Sequence, residues 1–159
     1  MQPNRPPQGE PRPRREGETY TELSPVWRER AAELGLMMRR PQWSPNTRLA
    51  HEATAYARDR GLGGEFHHIA ARAYWESGAD LGDLSVLRGL AGACGLDWSE
   101  LGLRLKSGHY RELVLDQHQE ARARGVSGTP TYHLPGAALV FGDLSVDELR
   151  ELIGGARHG

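Results

Sequence analysis

The chain has 159 residues, 20 Lys and Arg against 21 Asp and Glu, a formal net charge of −1 and 38% apolar side chains. That length suits one domain with a real core, and the balanced charge offers no field that would hold nucleic acid or an anionic membrane. No apolar run approaches the ~18 residues that a spanning helix needs.

The opening stretch, MQPNRPPQGEPRPRREG, lacks the apolar core of a secretory signal. Proline fixes φ and removes donors, so residues 1–19 read as a Pro/Arg-rich, linker-like segment. Ser24 as N-cap, Pro25 at the first helical position and Gly35 past the end mark a first helix. Val26, Trp27, Ala31 and Leu34 would give it an apolar stripe. LGLMMRRP then reads as a short strand halted by Pro41.

A long helical block follows. Asn46 can cap a helix that runs to about Arg60, with Leu49, Ala50, Ala53, Tyr56 and Ala57 on one face. A second helix carries Phe66, Ile69, Ala70, Ala73 and Tyr74 and stops near Gly78. A third runs from about Asp83 through Leu87, Leu90, Ala91 and Cys94 to Gly95. Asp97 with Glu100 makes a capping-box-like start to a fourth. A fifth, with Tyr110, Leu113, Val114, Gln117 and Ala121, ends at Gly125. The period then changes: TYHL and AALVF are short strands separated by Pro135 and Gly136, a hairpin signal. Ser145 and Glu148 open a last helix.

The segment Gly125–Leu134, GVSGTPTYHL, sets a glycine-flanked Thr-Pro before a strand. Together with SPNTRLAHEA and the AYWESGADLGDLSVLRGLAGACGLD region, it resembles the DsbA-like thioredoxin family. FrnE-like dithiol oxidoreductases, 2-hydroxychromene-2-carboxylate isomerases and kappa-class glutathione transferases share that architecture. The resemblance spans roughly Ser44 to Ile153. It implies an α/β, thioredoxin-like fold with a large helical insertion. The domain plan is then a 1–19 segment, a 20–43 helix and strand, a 44–124 helical insertion, and a 125–155 loop, hairpin and last helix. It also implies a cis bond at Thr129-Pro130 and a pairing edge for substrate backbone at Thr129. His51, behind the PNT turn, is the third candidate binding residue. The family's first strand and its Cys-x-x-Cys helix are expected before Met1, so the N-terminal β-α unit is missing from these residues.

Cys94 is the one cysteine. It sits on an apolar stripe at a helix end, where the dipole disfavours thiolate, and reads as core filler. One cysteine builds no disulfide framework, which points to a reducing compartment, the cytoplasm. His67 and His68 point roughly 100° apart on a helix, and no spacing among the seven histidines matches a metal site. The sequence therefore offers no catalytic residue, metal or cofactor of its own. The family activity implied is thiol–disulfide exchange on protein or peptide substrates. Two alternatives stand beside it: a redox-inactive module that binds a peptide or partner, with a homodimer as one way to cover an open sheet, and a glutathione-dependent isomerase or transferase.

Overall fold

The computed structural model describes residues 6–134 and 138–156. Among them are seven helices and two two-stranded antiparallel sheets, a mixed α/β chain that is mostly helical. By its internal contacts the chain divides into two units, Met1–Val114 and Leu115–Gly159.

In the first unit the Pro/Arg-rich stretch is folded where it is described. Strand β1 (Glu10–Pro11) pairs with β2 (Trp43–Ser44), Glu10 opposite Ser44 and Pro11 opposite Trp43. A proline is tolerated there because a two-stranded sheet consists of edges only. Gly9 makes the turn possible. Its φ is +83°, and a Cβ on it would stand 2.5 Å from Trp43 Nε1 and 2.7 Å from the Ser44 carbonyl oxygen. The Trp43 indole donates to the Gln8 carbonyl at 3.2 Å, and the Asn46 amide donates to the Pro6 carbonyl at 3.4 Å. A linker makes no such bonds.

Helix α1 (Pro25–Glu33) starts where Ser24 and Pro25 signal it, although the Ser24 side chain makes no capping bond. The expected apolar stripe is not a core face. Only Ala31 is buried, while Val26 is 68% and Leu34 66% exposed. The strand expected over LMMRR is also absent. Arg39 N–H donates to the Trp75 carbonyl and Arg40 N–H to the Thr21 carbonyl, so this chain is held by two unrelated neighbours and joins no ladder. The strand lies a few residues later, at Trp43–Ser44.

The core is built by α2 (Arg48–Arg58), α3 (Gly63–Ser77), α4 (Leu84–Ala93) and α5 (Trp98–Ser107). Helix α2 buries Ala50, Ala53, Ala57 and Tyr56, and its small side chains let the neighbouring helices approach. Phe66 from α3, Leu87 from α4 and Leu101 from α5 fill the space, fully buried. Each such side chain is worth about 1.5–3 kcal/mol of burial. Asn46 Oδ1 accepts from Arg48 N–H at 3.1 Å before α2, while Asp83 and Asp97 cap α4 and α5 through Ser85 N–H (2.6 Å) and Ser99 N–H (2.7 Å). Glu100 does not complete a capping box. It accepts from Arg60 at 2.6 Å and from the Tyr56 hydroxyl at 3.1 Å, and Arg60 stacks 3.5 Å from the centre of the Tyr56 ring.

The second unit holds most of α6 (Arg111–Ala123), then β3 (Thr131–Tyr132), β4 (Val140–Phe141) and α7 (Val146–Ala156). β3 and β4 pair antiparallel, Thr131 opposite Phe141 and Tyr132 opposite Val140. The turn expected at Pro135 and Gly136 lies outside the described residues. Ser145 and Glu148 form the capping box of α7: Ser145 N–H donates to Glu148 Oε2 at 2.7 Å, and Glu148 N–H to Ser145 Oγ at 3.3 Å. Ser145 hydrogen bonds hold the Glu148 carboxyl below its ordinary value.

Candidate functional site

Helix α6 ends through Gly125 N–H on the Arg122 carbonyl (2.9 Å) and Val126 N–H on the Ala121 carbonyl (3.0 Å). Ser127, Gly128, Thr129 and Pro130 follow, all exposed. The Thr131 hydroxyl donates back to the Gly128 carbonyl at 2.6 Å and pins this loop to the start of β3. The Thr129-Pro130 bond is cis.

The hydrogen-bond pattern decides which way the backbone faces. Gly142 N–H donates to the Pro130 carbonyl at 3.1 Å. In an antiparallel pair, hydrogen-bonded and non-hydrogen-bonded residue pairs alternate. Pro130 and Gly142 therefore form one bonded pair, and Tyr132 and Val140 the next. Thr131, between them, turns its N–H and C=O to the other edge of β3. No described residue bonds the backbone of Thr129. Among the described residues no strand pairs along this edge, which is two residues deep.

Beneath the hairpin lies a hollow of about 250 Å³. Its floor is Ala121, Val126 and Leu139, each half-buried. The hairpin sits against the end of α6, since a Cβ on Gly125 would stand 3.7 Å from Leu139 Cδ1. The rim carries Gln117, Glu120, Arg124 and His133. Arg124 pairs with Glu120 at 2.6 Å and reaches His133 Nδ1 at 3.5 Å.

Of the residues singled out from sequence, Thr129 and Pro130 stand on this edge, in the second unit, and His51 stands on α2 in the first. His51 is exposed, yet part of its ring is desolvated. That desolvation, with the charge of His67 adding to it, pushes its pKa down to about 4. Cys94 ends α4 half-buried against the core, and burial followed by the Glu65 carboxylate pushes its thiol up. No three metal-ligating side chains cluster among the described residues. Thr131 and the hollow escaped the sequence reading. The direction of the Thr131 backbone is set by the Gly142 N–H on the Pro130 carbonyl, across the hairpin, and the sequence carries no local signal for it.

The cis Thr129-Pro130 loop entering a strand after a long helical stretch of chain is what the resemblance to thioredoxin-like proteins implies, and the fold is of that class. The chain belongs to the DSBA-like thioredoxin domain family, whose model matches residues 3–154. No curated protein matches it. No helix among the described residues is long and apolar enough to cross a membrane.

Proposed function

We propose that the chain binds an extended polypeptide as an added strand on the free edge of β3, in the service of the thiol–disulfide exchange that its family suggests. The open edge at Thr129 and Thr131 carries this reading: an extended peptide gains main-chain hydrogen bonds there and needs no rearrangement of the hairpin. The substrate class is a protein or peptide thiol or disulfide, and the compartment is the cytoplasm, in keeping with one cysteine in 159 residues. These residues hold no dithiol, so what they supply is recognition. Fluorescence anisotropy with a labelled extended peptide tests it. The peptide is expected to bind, and the same peptide with its central amides N-methylated is expected to lose binding. Equal affinity for both would contradict strand addition.

A second reading uses the same edge. No described residue of Leu115–Gly159 is fully buried, while Phe141, Val146 and Ile153 are exposed. A second copy pairing at β3 would cover part of this surface. Sedimentation velocity showing a dimer that dissociates on adding the peptide would support it.

A further inference from the structure

We propose that Thr131 is a positioning residue for the incoming strand: its hydroxyl, by holding the Gly128 carbonyl, aims the Thr129 N–H outward. The inference rests on strand addition and adds to it the group that keeps the loop in a pairing shape.

The peptide unit between Gly128 and Thr129 is planar and trans, so its C=O and N–H point in opposite directions. The Thr131 hydroxyl donates to the Gly128 carbonyl at 2.6 Å. The carbonyl is thereby turned toward the start of β3, and the Thr129 N–H away from it. Among the described residues nothing else bonds either end of this unit.

The neighbours decide what that bond restrains. Thr129 precedes a proline and is confined to extended backbone. Gly128 is exposed and has no side chain to limit its ψ, and a Cβ on it would meet nothing within 4 Å. Rotation about the Gly128 ψ would swing the whole Gly128–Thr129 unit. The Thr131 bond closes a ring across Gly128, Thr129 and Pro130 and removes that rotation. In a four-residue turn the usual donor to the first carbonyl is the N–H of the fourth residue. Here the hydroxyl takes that place, while the Thr131 N–H stays on the free edge. One residue therefore closes the turn with its side chain and leaves its main chain for pairing. A loop already held in its bound shape loses less freedom when the strand arrives.

The test is anisotropy on the full chain with a labelled Ser/Thr peptide, beside 15N relaxation of the Thr129 amide in the free protein. Thr131→Val removes the hydroxyl and keeps the shape and strand preference of the side chain. It is expected to bind the peptide about tenfold more weakly, the worth of roughly one hydrogen bond. Thr131→Ser keeps the hydroxyl and is expected to stay within about twofold of the wild type. The Thr129 amide should be rigid in the wild type and in Thr131→Ser, and mobile on the ps–ns timescale in Thr131→Val. Should Thr131→Val unfold the protein, Thr131→Ala must show the same two losses. Wild-type affinity in the variant that folds, or a Thr129 amide as rigid as in the wild type, would overturn the positioning role while strand addition stands. No binding by the wild-type chain would overturn strand addition, and any role of Thr131 in it, whatever the relaxation shows.

Discussion

Arg40 and Glu18, twenty-two residues apart in the chain, form a 3.0 Å ion pair in which each side chain is 2% exposed. Arg12 adds a second bond to the same carboxylate at 2.9 Å, and Arg40 Nη2 donates to the Arg12 carbonyl at 2.6 Å. Two guanidiniums thus share one acid inside the first unit. Removing the acid leaves both cations buried, which costs about 3–5 kcal/mol for such a pair. Glu18→Ala is expected to lower the urea midpoint by a corresponding amount, and a midpoint unchanged within error would contradict the cluster.

The same carboxylate sets a pH dependence. Burial works against its charge, but the Arg15 N–H, Arg40 and Arg12 outweigh burial and hold it below its ordinary value of 4.5. The folded state therefore releases this proton more readily than the unfolded chain. The stabilisation is fully present above pH 4.5 and is lost as pH falls through the folded value. Urea midpoints measured from pH 7 downward should fall in this acid range, and Glu18→Gln should flatten part of that fall.

Gly9→Ala tests whether the Pro/Arg-rich segment is structure or linker. A methyl at φ +83° meets Trp43 Nε1 and the Ser44 carbonyl, both of which would have to move. A loss of about 1–3 kcal/mol is expected, as at other strained positions. A linker would tolerate the change with no shift in thermal midpoint.

Helices were legible in this sequence because their ends carry local chemistry. Asp83, Asp97 and Ser145 bond the first turns that they precede, and a run of glycines marks the stops. The hairpin strands β3 and β4 fall inside TYHL and AALVF, where they were expected, but the first sheet was not legible, because a two-residue strand has no period to read. β2 is Trp43–Ser44, and its partner at Glu10–Pro11 includes a residue that counts against strands. The Val26, Trp27 and Leu34 stripe misled for a different reason: periodicity reports a face that can be buried, and tertiary packing decides whether it is. The Thr-Pro loop stood out by its motif. The direction of the Thr131 backbone depends on Gly142, across the hairpin, and no local pattern encodes that.

The cap on α4 gives a smaller effect. Asp83 Oδ1 accepts from Ser85 N–H at 2.6 Å and Val86 N–H at 3.1 Å. Asp83→Ala should cost about 1 kcal/mol, and Asp83→Asn less, in chemical denaturation.

Cys94 should behave as a packed thiol. Burial, and then Glu65, raise its pKa, which lowers the thiolate fraction at neutral pH. Its reaction with Ellman's reagent at pH 7.5 is expected to be several-fold slower in the native protein than in urea, and Cys94→Ala should leave peptide affinity unchanged. Fast native labelling would contradict this placement.

Amide hydrogen exchange, followed by NMR with and without a saturating extended peptide, tests the central account most directly. The Thr131 N–H faces the open edge and should exchange fast in the free protein, then slow at least tenfold on binding. The Tyr132 N–H, already bonded to Val140, should change little. Unchanged Thr131 exchange under saturating peptide would place the peptide elsewhere and contradict strand addition at β3.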